Sequence, residues 1–111
     1  MIEINNLNKA EIDQKFLTGL AKKVLKGENG EEIDLSIVFV SKEKIKELNK
    51  RYRQEDKATD VLSFGDNLNE IVICPAIAKK EIAKVLVHGI LHILGYKHGK
   101  IMDQKQNNYL K

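Results

Sequence analysis

Apolar residues at helical spacing predict a first helix close to the start of the chain. An apolar side chain recurs at every fourth position, at Ile12, Phe16, Leu20 and Val24. Asn8 followed by Glu11 three residues later is typical of a capped helix start. Gly27 and Gly30 are expected to end this helix, because glycine favours the chain reversal that follows a last turn.

A β-branched run over residues 33–40 predicts a strand. Asp34 and Ser36 stand on one side of the run, as in a strand with one buried and one exposed face. Ser41 is placed to cap the following helix, whose inner face carries Ile45, Leu48 and Tyr52.

Two short apolar runs and a long apolar segment complete the pattern. Residues 61–64 and 70–74 are expected to be neighbouring strands, joined by the turn-rich residues 65–67. Residues 76–94 are expected to form one helix against the sheet, followed by a short tail. This order predicts an α+β fold with a small mixed β-sheet packed with helices, in a single domain over residues 1–111.

Composition narrows the class of protein only slightly. The 111 residues are 42% hydrophobic and 32% charged, which is ordinary for a globular chain, and the formal net charge of +3 permits a polyanionic partner without requiring one. Cys74 is the single cysteine, which excludes an intrachain disulfide and is compatible with a reducing cytosol. We recognise neither a secretion signal nor a membrane-spanning run, so a cytoplasmic protein is expected.

All three histidines of the chain lie within residues 88–98. His88 and His92 are four residues apart, so a helix places their imidazoles side by side. Gly95 lets the chain leave the helix in the left-handed conformation, and the turn after it can return His98 to the same point. Three neutral imidazoles leave a tetrahedral metal one open position, as in catalytic sites. The alternative is packed histidines with ordinary hydrogen-bond partners.

The histidine spacing is also that of the metzincin proteases, H-E-x-x-H-x-x-G-x-x-H. Gly89 stands where those proteases carry the glutamate that takes a proton from water. Glycine cannot act as a base, so peptide hydrolysis is the less favoured chemistry.

Two blocks of sequence resemble the YbeY family of bacterial rRNA maturation factors. Residues 88–98 read HGILHILGYKH, similar to the family signature H-G-x-L-H-x-x-G-Y-D-H. Residues 48–64 read LNKRYRQEDKATDVLSF, similar to the family's L-N-x-x-Y-R-x-x-D-x-P-T-D-V-L-S-F. Residues 70–73 resemble the end of the family strand G-D-I-V-I. The chain is therefore identified as a member of this family.

The resemblance implies a zincin-like core with a metal-site helix, and the activity of a single-strand endoribonuclease in small-subunit rRNA maturation and ribosome quality control. It implies that His88, His92 and His98 bind one metal ion, usually described as Zn²⁺, and that Arg53 faces this metal across the substrate channel. The implied partners are single-stranded rRNA and the small ribosomal subunit, with no membrane. Three imidazoles also suit other divalent transition metals, and the oligomeric state stays open.

The chain departs from the family pattern at several positions. Lys97 replaces an aspartate beside the third histidine, which removes a group able to orient that ligand. Two family prolines are absent, their positions being taken by Ala58 and Gly65. The segment between Cys74 and Glu81 is shorter than the family norm by most of a helix, and the tail after residue 98 is also cut back.

The expected chemistry depends on the histidines and one arginine. A divalent metal on three histidines lowers the pKa of bound water to about 7, which supplies a nucleophile without a protein base. Arg53 offers a planar donor fork suited to phosphate oxygens. Attack by this water and attack by the neighbouring 2′-hydroxyl of RNA both stay open.

Two other functions are weighed against the ribonuclease. One is a metal-binding, ribosome-associated factor that no longer cleaves, which Lys97 and the missing helix would explain. The other is a hydrolase of another substrate such as a peptide, against which Gly89 counts.

Overall fold

The computed structural model of the chain describes residues 1–65 and 67–111. The turn expected at residues 65–67 has its central residue, Asp66, outside the described residues. Across the described ranges, no helix is both long enough and apolar enough to span a membrane.

Four strands form one mixed sheet, namely β1 (Ile2–Asn6), β2 (Leu35–Phe39), β3 (Val61–Phe64) and β4 (Glu70–Ile73). Their order across the sheet is β1-β2-β4-β3. β2 pairs in parallel with both β1 and β4, whereas β3 pairs antiparallel with β4 at the edge. The expected mixed sheet is confirmed, with β3 and β4 as neighbours.

Helices cover both faces of this sheet. Their bounds are α1 (Gln14–Gly27), α2 (Lys42–Arg53), α3 (Pro75–Ala78), α4 (Ile82–Ile93) and α5 (Lys100–Tyr109). One face packs against α1, α4 and α5 through a core that includes Ile37 and Ile71. The other face packs against α2 in a smaller cluster that includes Ile45 and Cys74. The expected α+β fold is therefore confirmed, and Cys74 is a buried packing residue.

The sequence did not predict two elements, β1 near the start of the chain and α5 near its end. β1 has only two inward apolar residues, Ile2 and Ile4, and its stability comes from pairing with β2 more than from its own pattern. The expected short tail is instead the helix α5, whose buried residues are Met102 and Gln106. Glutamine is usually a surface residue, so the sequence of α5 shows no buried apolar face that would predict a helix.

The first helix begins later than expected. Asp13 is its N-cap, and the Asp13 carboxylate accepts a hydrogen bond of 3.0 Å from the backbone N–H of Phe16. The expected cap, Asn8, instead donates its backbone N–H to the Asn6 side chain in a loop. The inward face is also rotated, since Phe16 is 56% exposed and Leu17 is buried in its place. The expected end at Gly27 is correct.

The helix expected over residues 76–94 is interrupted. α3 ends after four residues, a short 3₁₀ turn covers Lys79–Glu81, and α4 continues from Ile82 to Ile93. Lys79 adopts a positive φ of 51°, which stops the first helical segment and redirects the chain. The expectation of one continuous helix was therefore wrong, although α4 carries the histidines as expected.

Candidate metal centre

Helix α4 approaches the sheet closely at Gly89. A Cβ atom at this position would lie 3.1 Å from Ser63 Oγ and 3.2 Å from two side-chain carbons of Ile71. The missing side chain therefore lets the helix backbone approach β3 and β4. The position at which a metzincin carries its glutamate faces the sheet here.

A tight turn after α4 returns the chain to the helix. Gly95 has a φ of 102°, and its N–H donates to the His92 carbonyl at 3.0 Å. The N–H of Tyr96 donates to the Leu91 carbonyl at 3.0 Å, which completes a Schellman motif. The expected left-handed exit at Gly95 agrees with this geometry, and it places His98 beside the helix.

The three imidazoles meet at one point. The ring centroids of His88, His92 and His98 are 4.4–4.8 Å apart in pairs, and one ligand nitrogen from each lies within 4.8 Å of the others. The Nε2 atoms of His92 and His98 are 3.1 Å apart. Two nitrogens bonded to one zinc ion at about 2.0–2.1 Å in tetrahedral geometry lie about 3.3 Å apart, so the donor set fits such an ion.

Hydrogen bonds at Nδ1 define which ring nitrogens are free. His88 Nδ1 is 3.0 Å from Gln106 Oε1, and His92 Nδ1 is 3.1 Å from the Tyr96 carbonyl oxygen. Both partners are acceptors, so each Nδ1 carries the proton and donates. Each Nε2 then keeps a lone pair for a metal. Gln106 was missed in the sequence because a glutamine in a polar segment gives no spacing signal.

Electrostatics favour the form of His92 that binds metal. Burial lowers the pKa of His92 below its ordinary value of 6.5, and the neighbouring His88 and His98 imidazoles lower it further, against the opposing effect of the Tyr96 hydrogen bond. His92 is therefore neutral near pH 7. A neutral imidazole is the metal-binding form, so metal and protons compete only weakly there.

A cleft of about 540 Å³ opens in front of the histidines. Arg53, at the end of α2, lines this cleft together with Tyr52 and Phe64. The Arg53 side chain is 53% exposed, and its guanidinium forms a long ion pair of 3.9 Å with Glu55. The structure therefore brings Arg53 and the three histidines to the same cleft.

The wall opposite α4 comes from the loop after α2. Buried Asn49 donates from Nδ2 to the Lys57 carbonyl at 2.9 Å, and the Cys74 N–H donates to the Asp60 carbonyl at 2.9 Å. Among the residues that the structure describes, Asn49 Oδ1 accepts no hydrogen bond. These contacts hold the loop so that Asp60 lines the cleft.

Other charged residues near α4 lie at the surface. Lys97 is exposed, as are the lysines that precede the histidines, at positions 79, 80 and 84. Solvent therefore screens the charge of Lys97 beside His98.

The protein is therefore an α+β protein with a candidate hydrolase centre. Two histidines of this centre lie on a helix packed against the mixed sheet, and a tight turn returns the third to them. A family model described as endoribonuclease YbeY matches residues 3–111. The chain belongs to the YbeY family. The expected resemblance and enzyme class, an endoribonuclease, are thereby confirmed.

Relatives and one solved structure agree with this assignment. A protein named endoribonuclease YbeY from Sulfurihydrogenibium sp. (strain YO3AOP1) is 37% identical, covering 79% of this chain and 71% of the relative. Its namesake from Thermotoga maritima is 36% identical, covering 87% of this chain and 80% of the relative. The solution structure of TM1509 from Thermotoga maritima is similar with a TM-score of 0.74 and 32% identity, covering 99% of this chain and 87% of that chain.

The chain is shorter than the matching part of a third relative. The alignment with endoribonuclease YbeY from Thermotoga neapolitana, which is 34% identical, runs over 131 positions, more than the 111 residues of this chain. The relative therefore carries residues that this chain lacks. Between β4 and α4 this chain has Cys74, the four residues of α3 and the 3₁₀ turn Lys79–Glu81.

Proposed function

We propose that residues 1–111 form one metal-dependent endoribonuclease domain that cleaves single-stranded rRNA during small-subunit maturation and ribosome quality control in the cytoplasm. Family membership supports the ribonuclease activity. The observation that carries the metal dependence is the convergence of three imidazoles, two of which are held by acceptors at Nδ1.

His88, His92 and His98 would hold the ion, and Zn²⁺ suits three nitrogen ligands with one open position. A bound Zn²⁺ lowers the pKa of water to about 7 and so supplies a nucleophile at neutral pH. The chain itself orients His88 and His92 through Gln106 and the Tyr96 carbonyl. A nucleophile supplied in this way by metal-bound water would need no protein base, and Gly89 cannot act as one.

Arg53 would bind the scissile phosphate. Arg53 lines the cleft and is half-exposed, and its 3.9 Å ion pair with Glu55 is long enough to give way when a phosphate enters. A planar guanidinium can donate two parallel hydrogen bonds to phosphate oxygens. Charge that develops on these oxygens in the transition state would strengthen the same bonds.

The aromatic side chains of the cleft favour a single strand over a duplex. Tyr52 is 56% exposed, and its ring contacts Phe64 edge to face with centroids 5.3 Å apart. The Phe64 contact limits the movement of the Tyr52 ring, and the exposed part of that ring can stack on a nucleobase. Bases of a single strand are available for such stacking, whereas bases of a duplex already stack on each other.

A ribosome-associated factor that binds metal without cleaving is the second candidate. The exposed position of His98 beside Lys97 and the short connection between β4 and α4 favour it. Peptide hydrolysis is disfavoured because Gly89 faces Ser63 and Ile71 in the sheet.

Cleavage of single-stranded and duplex rRNA fragments by the zinc-loaded wild type and by His92→Ala, purified in one batch, tests the proposal. We expect cleavage by the wild type alone, faster on the single strand. Equal activity of both proteins would contradict the three-histidine mechanism. Stoichiometric zinc and small-subunit binding without turnover would favour the second candidate.

A further inference from the structure

The Glu28 carboxylate, just after the end of α1, lies at the centre of a hydrogen-bond network. The Tyr96 hydroxyl donates to Oε1 at 2.6 Å, and the Tyr109 hydroxyl donates to Oε2 at 2.5 Å. Lys105 Nζ donates to Oε2 at 3.3 Å. The Glu28 side chain is only 7% exposed, so these contacts form largely away from solvent.

The partners of Glu28 adjoin the two groups that hold metal-site histidines. The backbone carbonyl of Tyr96 accepts the Nδ1 hydrogen bond of His92. On α5, Lys105 and Tyr109 flank Gln106, whose side chain accepts the Nδ1 hydrogen bond of His88. One carboxylate therefore joins the two segments of the chain that carry these acceptors.

Helix α5 depends on such polar contacts for its position. Its buried residues are Met102 and Gln106, and its remaining contacts with the core come from partly buried residues near its end. Lys105 also lies over the Tyr96 ring, with its Nζ 5.5 Å from the ring centroid. The orientation of Gln106 toward His88 therefore relies on the anchoring of the neighbouring side chains to Glu28.

We propose that Glu28 is a positioning residue of the metal centre, where its carboxylate fixes the Tyr96 turn and α5 so that both acceptors orient His88 and His92 for a metal ion. This inference rests on the proposed function in so far as the three histidines bind metal. Glu28 itself lies behind the histidines and acts through Tyr96 and α5.

The two arms of the network can be separated by conservative variants. Tyr96→Phe removes the hydroxyl on the His92 side, Tyr109→Phe removes the hydroxyl on the His88 side, and Glu28→Gln weakens both. In ¹⁵N imidazole spectra of the metal-free proteins, we expect Tyr96→Phe to shift His92 Nδ1 and Tyr109→Phe to shift His88 Nδ1. Glu28→Gln should shift both.

Gly27→Ala offers an independent perturbation. A Cβ atom at residue 27 would overlap the Tyr109 hydroxyl, so the substitution displaces that hydroxyl without removing any hydrogen-bonding group. We expect the His88 signal to shift as it does in Tyr109→Phe, while the His92 signal stays close to that of the wild type.

Zinc affinity, measured by competition with a chelator, is the second readout. Loss of a group that directly orients a ligand lowers metal affinity about 10–100-fold, so Glu28→Gln is expected to lower it about tenfold. Val24→Ala is the matched control, because it removes buried volume from α1 and leaves every hydrogen-bonding group of the network in place. Its zinc affinity should stay within about twofold of the wild type at a comparable loss of melting temperature.

The outcomes separate this inference from the proposed function. Unchanged imidazole spectra in Glu28→Gln, or a zinc affinity that falls no further than in Val24→Ala, would overturn the role of Glu28. Absence of zinc binding by the wild type would instead overturn the proposed metal dependence, and the metal-free spectra would still decide whether Glu28 positions the two rings.

Discussion

At the scale of single residues, the candidate metal centre consists of the three histidines and of the acceptors that hold two of their rings. Three imidazoles at offsets of four and six were visible in the sequence, because helical spacing alone brings the first two together. Gln106 was not visible, since it lies 18 residues from His88 in a polar segment. Side-chain identity thus revealed the candidate ligands, and only the fold revealed what orients them.

Removal of the Gln106 acceptor tests this dependence directly. We expect Gln106→Leu to lower zinc affinity about 10–100-fold, because His88 Nδ1 would lose the partner that fixes its tautomer and ring orientation. Gln106→Glu keeps an acceptor oxygen and should retain most of the affinity. Chelator competition gives both values, and wild-type affinity in Gln106→Leu would contradict the role assigned to Gln106.

Arg53 should affect cleavage without affecting metal binding. We expect Arg53→Ala to lower kcat about 100-fold, as the loss of one transition-state donor typically does. Arg53→Lys should recover little of the rate, because an ammonium lacks the planar fork. Arg51→Ala is the control, since Arg51 lies in the same helical turn and pairs with Glu47 at the surface. Equal rates for the Arg53→Ala and Arg51→Ala variants would refute the proposal.

At the scale of elements, sequence pattern succeeded where an element has a buried apolar face of its own. α4 and β2 were predicted because most of their inward positions are aliphatic. β1 and α5 were missed because their inward positions are few or polar and their stability comes from partners distant in sequence. The break before α4 was missed because Lys79 gives no sequence signal for a positive φ.

The space around two helical glycines, Gly89 in α4 and Gly19 in α1, predicts opposite effects of adding a side chain. Gly89→Leu should lower the free energy of unfolding by about 3 kcal/mol, because the added side chain meets Ser63 and Ile71 at close range. Gly19→Ala, in an exposed part of α1 with open space around it, should raise it by about 0.8 kcal/mol through helix propensity. Urea unfolding measures both, and a tolerated Gly89→Leu would show that α4 need not approach the sheet so closely.

At the scale of the whole molecule, Glu28 connects α1, the Tyr96 turn and α5. Burial alone would raise the pKa of Glu28, but hydrogen bonds from Tyr109, Tyr96 and Lys105 together lower this pKa below its ordinary value of 4.5. Burial and the Glu28 hydrogen bond raise the pKa of Tyr109 to about 12, so its hydroxyl stays a donor across the neutral range. The network is therefore intact at neutral pH.

This pKa shift predicts how stability depends on pH. Since the folded-state pKa of Glu28 lies below the unfolded value, its contribution is complete above pH 4.5 and is lost as the pH falls through the folded-state pKa. We expect Glu28→Gln to lower the free energy of unfolding by about 1–3 kcal/mol at pH 7, with a difference that shrinks as the pH falls below 4.5. Urea unfolding of both proteins at pH 7 and at a series of pH values below 4.5 checks this prediction. A difference independent of pH would argue that the charge of Glu28 is not what stabilises the network.

The central claim is that the three converging histidines make RNA cleavage depend on one metal ion. The most direct test removes metal from the protein with a chelator and measures cleavage of a single-stranded rRNA fragment as zinc is added back. We expect the rate to rise until one zinc per chain is bound and then to stay constant, with no recovery in His92→Ala. Full cleavage by the metal-free protein, or equal recovery in His92→Ala, would contradict the account.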